Sequence, residues 1–391
     1  MLPRIKINYL NGQLGTVGES PDGLFAIVCV AAVVSDTFVL EKPYTILNRD
    51  DLMALGVTSD NNERLYKHVS DFYNEAPNGT KLVIYGVAEA SKMTDLLDKT
   101  TGKVKNLITD MNGALRGIFV GVGTGAADGT TEGMDADVFT ALPKAQQLAE
   151  TATTDLYAPL FIILEGHDYT GSGLKDLSKE KNNRVGILVG DTVTGSKNAS
   201  VGTLAGRLAT IPVHRNVGRV KNGSLFPIEM YIGNKKVDES NSAIVDLYDK
   251  GYICPRKYVG KAGYFFTDDR LACDPTDDYA HIASRRVIDK AYRLAYLTLL
   301  DMMLDELEVN ENGTLQAGVI KSWQQAVENS INSSMTATGE LSASNNGEGC
   351  ICYIDEKQNV LATSRIEITL RVRPYGYARY IDVNLGFLVN N

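Results

Sequence analysis

Leu24-Phe25-Ala26-Ile27-Val28-Cys29-Val30-Ala31-Ala32-Val33-Val34 is the longest apolar run in the chain. At eleven residues it is far shorter than the roughly 20 that a helix needs to cross a bilayer. Glu19 and Asp22 precede it, where a secretory leader would carry basic residues. Its Val and Ala content suits a strand covered on both faces, as in a parallel sheet.

Outward from this strand, helical and extended patterns alternate. Thr45-Ile46-Leu47 reads as extended. Asn48-Arg49-Asp50-Asp51 then opens a helix that stops at Gly56. Residues 62–75 place Leu65, Val69, Phe72 and Tyr73 at helical spacing, and 81–87 form the next strand. A helix over 95–115, a strand over 116–122, a Gly-rich loop over 123–133 and a helix over 137–153 after Asp135 follow. Strands at 160–164 and 185–189 complete a β-α-β alternation that defines a layered α/β domain. Residues 192–240 are rich in Gly, Ser and Asn, with one helical stretch at 199–209.

The texture changes near residue 242. A helix ends close to Gly251, and 252–266 reads as short strands and turns. Residues 279–308 read as one long helix and 316–334 as a second, built on Ile320, Trp323, Val327 and Ile331. Strands are expected at 349–354 and 365–373. Ile366, Ile368, Leu370 and Val372 share one face of the latter, and Pro374 ends it because proline has no N–H to donate.

The 391 residues suffice for two or three domains. A net charge of −9 argues against nucleic acid as the main partner, since phosphate binding calls for a basic surface. The five cysteines are too few for a disulfide framework, and no histidine lies near them in sequence to complete a metal site. They read as reduced core thiols of a protein made in the cytosol.

Gly121-Val122-Gly123-Thr124-Gly125-Ala126 follows a strand and matches the Gly-x-Gly-x-x-Ala pattern that brings a pyrophosphate to a helix N-terminus. The helix does not open at once, and Asp128 and Glu132 add negative charge, so a surface loop is expected. An α/β nucleotide-binding enzyme using these residues is the alternative reading. His167, beside Asp168 and Tyr169, reads as a solvated loop histidine, because no supporting catalytic constellation accompanies it.

Arg286, Lys290 and Arg293 form one stripe on the long helix at about 100° per residue. Helix geometry leaves a solvated face and a dock for an acidic partner both open. The two ends of the chain alternate like strands. Ile5, Ile7 and Tyr9 precede a Gly-rich tether, and Ile381, Val383, Leu385, Phe387 and Val389 share a face near the other end. Pattern alone leaves pairing within the subunit and exchange with a neighbour equally open.

The order of these elements resembles the tail sheath proteins of contractile phage tails and related contractile injection systems, including the Mu-like sheaths. The resemblance is carried by the strand from Phe25 to Ala32, Asp71-Phe72-Tyr73-Asn74, and Lys81-Leu82-Val83-Ile84-Tyr85-Gly86-Val87. It continues through Val201-Gly202-Thr203-Leu204-Ala205-Gly206-Arg207 and the loop from Pro212 to Val220. Lys250-Gly251-Tyr252-Ile253 and the helix opening from Asp278 to Asp289 extend it into the second half. It implies an α/β outer domain plus an α+β C-terminal domain, with extended N- and C-terminal β-strand arms. The implied division is an arm and linker at 1–23, an outer domain at 24–250 with an inserted subdomain about 91–240, a tube-facing domain at 251–376 and an arm strand at 377–391.

The implied function is structural and not enzymatic, with no cofactor, bound metal or nucleic acid and no direct membrane insertion. Subunits polymerise helically as stacked hexameric rings around an inner tail tube protein, meet a baseplate and a tail terminator, and contract to drive the tube through a cell envelope. They are assembled in the host bacterial cytoplasm and reside in the virion tail or injection system. Ile5, Ile7, Tyr9, Ile381, Val383, Leu385, Phe387 and Val389 are the implied strand-exchange residues. Arg286, Lys290 and Arg293 are the implied tube-facing ones. The rival within the same class is another virion component, such as a capsid or baseplate protein.

Overall fold

A computed structural model describes residues 21–123 and 128–385. The chain divides into two compact units, the first ending at Arg293 and the second beginning at Leu294.

The first unit is built on β1 (Phe25–Val30), β2 (Pro43–Ile46), α1 (Arg49–Ala54), α2 (Glu63–Glu75), β3 (Leu82–Val87), α3 (Lys103–Asp110), β4 (Gly117–Gly121), α4 (Ala136–Thr154), β5 (Phe161–Glu165), β6 (Val185–Leu188), α5 (Val201–Thr210) and α6 (Asn241–Asp249). Six strands form one sheet in the order β2-β3-β1-β4-β5-β6, with β2 antiparallel at its edge and every other pairing parallel. The apolar run therefore supplies a central strand, with Phe25 opposite Leu82 on one side and Gly117 on the other. Only its first half stays in the sheet. After Val30 the chain turns, and Val34 bridges Phe38.

Gly117 has a steric task between its two neighbours. A Cβ there would lie 2.7 Å from the Phe161 ring, and its absence lets Phe25, Phe119 and Phe161 meet edge to face at 5.3–6.0 Å. Edge-to-face geometry suits the aromatic quadrupole. A similar argument explains the small-residue helix α5. A Cβ on Gly202 would stand 2.1 Å from the carbonyl oxygen of His68, and one on Gly206 would stand 2.4 Å from that of Phe72. The helix thus lies backbone against backbone on α2.

Two expectations about organisation change. Residues 91–240 do not form an inserted subdomain, because β4, β5 and β6 continue the sheet begun by β1 and β3. The first unit also runs past residue 250. Leu188 bridges Ile253 in parallel, the amide of Val189 donates to the carbonyl of Ile253, and Tyr252, Ile253 and Cys254 are fully buried in the same core.

Local signals account for the helix ends. Asn48 caps α1 by accepting from the amide of Asp51, and Asp135 caps α4 by accepting from that of Asp137. The expected helix over 95–115 is broken. Asp98 accepts the amides of Thr100 and Thr101 in a turn, and α3 starts only at Lys103. The long helix α7 spans Ile282–Leu300 rather than 279–308. Its start is set by Asp269, whose carbonyl and carboxylate receive the amides of Ile282 and Ala283.

The second unit contains α8 (Ala317–Ile331), a π-helical turn over Asn332–Thr336, and an antiparallel pair of strands, β7 (Cys350–Ile354) and β8 (Ile368–Val372). Leu315, Ile320 and Ile354 form its small core, with Trp323, Ile366 and Ile368 packed against them. All five cysteines are free and buried. No helix of the described residues is long and apolar enough to cross a membrane.

Candidate functional site

In open α/β sheets, ligands enter at the carboxyl ends of the strands. Here that edge is filled by the chain's own charges. Arg64, near the start of α2, donates to the carbonyl of Gly121 at 3.1 Å and to the Glu165 carboxylate at 2.6 Å. Glu165 is fully buried at the end of β5 and also accepts the amides of Gly123 (2.8 Å) and Ala199 (3.0 Å). One turn further along α2, Lys67 bridges Asp71 at 2.7 Å and Asp191 at 2.6 Å. Burial opposes the charge on Lys67, but the two carboxylates outweigh it and hold its pKa above the ordinary lysine value.

These contacts count against the nucleotide alternative. The Arg64 guanidinium lies against Gly123, where a Cβ would fall 2.2 Å from it, and it is already neutralised by Glu165. The amide of Gly123 is committed to the same carboxylate. Thr124, Gly125 and Ala126 lie outside the described residues.

The basic stripe of α7 also differs from expectation. It is neither a solvated face nor an open dock. Lys290 is 2.7 Å from Asp22, Arg293 is 3.3 Å from the same carboxylate, and Arg286 donates to the backbone carbonyls of Asp22 and Ile211. Arg286 is 3% exposed and Asp22 6%. The acidic partner of the stripe is thus a residue of the same chain, 264 positions before Arg286. Burial pushes the Asp22 carboxyl up, but the hydrogen bond from Lys290 and the three positive charges outweigh it, so its pKa falls below the ordinary range. These contacts lie within the first unit.

The region before the C-terminus presents the opposite picture. Residues 373–385 have no regular structure, and Tyr380, Ile381, Val383 and Leu385 are 77%, 77%, 78% and 95% exposed. Phe387 and Val389 lie outside the described residues, as do Ile5, Ile7 and Tyr9. In the second unit, β7 and β8 pair only with each other among the described residues. Cys350, Cys352 and Ile354 face inward, while Ile351 and Tyr353 on the opposite face are more than half exposed. A two-stranded sheet is marginal alone, and on the outer edge of β7 the amide of Cys352 donates to the Glu328 carboxylate of α8 at 2.7 Å.

Sequence reasoning passed over Asp22, Arg64 and Glu165. Each is ordinary in local pattern, and Glu165 acquires its meaning only from the strand end that brings it to Arg64. His167 is also misread by pattern. It is 1% exposed rather than solvated.

The fold is similar to that of chains in solved contractile injection systems. It aligns with a chain of the anti-feeding prophage baseplate in a six-fold symmetrised structure at a TM-score of 0.62 and 15% identity, covering 100% of this chain and 99% of that one. It aligns with the sheath complex of an extracellular contractile injection system, PVC, in the contracted state at 0.63 and 12%, covering 99% and 97%. A chain of the contracted anti-feeding prophage baseplate aligns at 0.64 and 11%, covering 99% and 98%. At these identities the likeness is one of fold. No curated protein matches the chain in sequence. The chain belongs to the DUF2586 family: the model described as DUF2586, N-terminal domain, matches residues 2–270, and that of the C-terminal domain matches residues 278–391.

Proposed function

We propose that this chain is the structural subunit of a contractile tail sheath, which polymerises helically around an inner tube and contracts to drive it through a cell envelope. The observation that carries the reading is the exposed apolar segment at Tyr380, Ile381, Val383 and Leu385, which follows a sheet of only two strands among the described residues, in a fold similar to that of a contractile sheath complex. Fully burying one such side chain contributes about 1.5–3 kcal/mol relative to leaving it in water. Three or four of them, together with backbone pairing, give a link between subunits several kcal/mol strong.

In this reading Ile381, Val383, Leu385, Phe387 and Val389 of one subunit add a strand to the β7–β8 sheet of another, and Ile5, Ile7 and Tyr9 do the same from the other arm. Donor and acceptor are different surfaces, so the contact is heterologous and propagates as a helix unless its rotation closes a ring. Stacked hexameric rings, an inner tail tube protein, a baseplate and a tail terminator are the partners this assembly calls for. Assembly takes place in the host bacterial cytoplasm, before the sheath functions in a virion tail or injection system.

Negative-stain microscopy of the full chain and of a chain ending at Gly376 tests the proposal. The full chain forms sleeves of fixed width. The shortened chain stays folded and monomeric. Sleeves of unchanged width and yield from the shortened chain would refute the role of the arm. Closed shells from the full chain would favour a capsid protein instead.

A further inference from the structure

Asp135, His167 and Asp168 meet inside the first unit, where the end of the 123–133 loop region approaches the turn after β5. One donor atom from each lies within 4.8 Å of the others. Asp135 and His167 are each 1% exposed. The Asp135 carboxylate accepts the amides of Asp137 and Asp128, one on each oxygen at 2.9 Å, which leaves further lone pairs on both. Asp168 has one oxygen 3.2 Å from the Lys197 ammonium and the other 3.7 Å from Nδ1 of His167.

The imidazole is the informative member. Neither ring nitrogen of His167 has a hydrogen-bond partner among the described residues. Buried polar groups are almost always satisfied, because leaving one unpaired carries its full desolvation cost. A second cluster of the same composition provides the contrast. Around Asp268, Asp269 and His281, the histidine Nδ1 sits 3.0 Å from Asp269, the amide of Ala283 donates to Asp269, and Asn216 donates to both carboxylates. That cluster is a satisfied helix cap. The first one holds an unused imidazole facing two carboxylates.

We propose that Asp135, His167 and Asp168 bind one divalent transition-metal cation. An imidazole nitrogen and carboxylate oxygens form the donor set that such ions take at about 2.0–2.2 Å. The two carboxylates neutralise its charge. Donors spread over at most 4.8 Å reach a common ion with inward shifts of about 1 Å or less each. The ion ties the segment that caps α4 to the turn that leaves β5, fastening two loops at one end of the sheet. This site goes beyond the sheath reading and does not depend on it.

Zinc is the probe. The full-length protein, stripped with a chelator and dialysed, is titrated with zinc chloride by calorimetry, and cobalt substitution reports the ligand geometry through its visible absorption. The expected result is one zinc per chain, with affinity reduced at least roughly 100-fold in His167→Gln and Asp168→Asn, since loss of even an outer partner of a metal ligand costs about 10–100-fold. His281→Gln keeps wild-type affinity. Asp168 has φ of +55°, which asparagine tolerates, so Asp168→Asn carries the test should His167→Gln fail to fold. No saturable zinc binding by the wild-type chain, or wild-type affinity in a folded His167→Gln or Asp168→Asn variant, overturns the proposal.

Discussion

Replacing Asp22 with asparagine removes the carboxylate that Lys290 and Arg293 share and that lies beside Arg286. Asp22 is 6% exposed, and the side chains of Lys290 and Arg293 are each 15% exposed. Breaking a buried ion pair by removing one partner costs about 3–5 kcal/mol. Asparagine still accepts one hydrogen bond, and the lysine and arginine heads retain some water, so about 2–4 kcal/mol is the expected loss. The first unit extends to residue 293, and unfolding entropy near 2.1 cal/mol/K per residue gives about 0.6 kcal/mol per degree. The melting temperature at pH 7 therefore falls by about 3–7 °C.

Differential scanning calorimetry of Asp22→Asn measures this, with exposed Asp60→Asn as the neutral control. Adding Lys290→Met to Asp22→Asn relieves part of the loss, because one of the buried cations that faced the Asp22 carboxylate disappears. The pH dependence has a definite sign. The folded-state pKa of Asp22 is depressed, so its contribution is present above the unfolded carboxyl pKa of about 3.9 and is lost as pH falls through the lower folded value. The gap between wild type and variant is full at pH 7 and closes below about pH 4. A shift of less than about 1 °C at pH 7 would mean that the stripe is solvated after all, and the reasoning would fail.

Gly202→Ala is expected to lower the urea midpoint by the equivalent of about 1–3 kcal/mol, because the new methyl meets the His68 carbonyl. Stabilisation by about 1 kcal/mol, the helix-propensity gain, would show that α5 does not approach α2 so closely. Glu165→Gln leaves Arg64 buried without its partner and costs about 3–5 kcal/mol, while millimolar ATP or NAD leaves the wild-type melting curve unmoved. A dose-dependent rise would revive the nucleotide reading. Burial pushes the thiols of Cys29 and Cys254 up to about 12, so neither reacts with a thiol reagent at pH 8 until the chain unfolds. Rapid labelling of either in the native state would contradict their burial. Leu385→Asp is expected to leave the melting temperature of the monomer unchanged and to prevent sleeve formation in the electron microscope, since its side chain touches solvent in the free subunit.

Much of the first unit is legible because its signals are local. The strand from Phe25 to Val30, the caps at Asn48 and Asp135 and the spacing of Leu65, Val69 and Phe72 depend on neighbours within one or two turns. Errors arise where a local competitor or a distant partner intervenes. Asp98 wins the amides of Thr100 and Thr101 from a helix that periodicity alone would continue. Residues 251–293 look like the start of a new domain, yet Ile253 joins the edge of the sheet. The alternation of Ile381, Val383 and Leu385 is visible in sequence, whereas their exposure is not.

Apolar periodicity and turn chemistry alone determine that this chain is a layered α/β protein with an apolar segment near its C-terminus, because both are properties of residues close along the chain. The tertiary structure decides what the charged residues are for. Arg286, Lys290 and Arg293 have the spacing of a docking surface and Gly121-Val122-Gly123 that of a phosphate loop. Asp22 and Glu165, brought in from far along the chain, turn the first into a buried clamp and the second into a filled crevice. Electrostatic meaning depends on which charges become neighbours and how little water remains between them, and only the folded chain sets both.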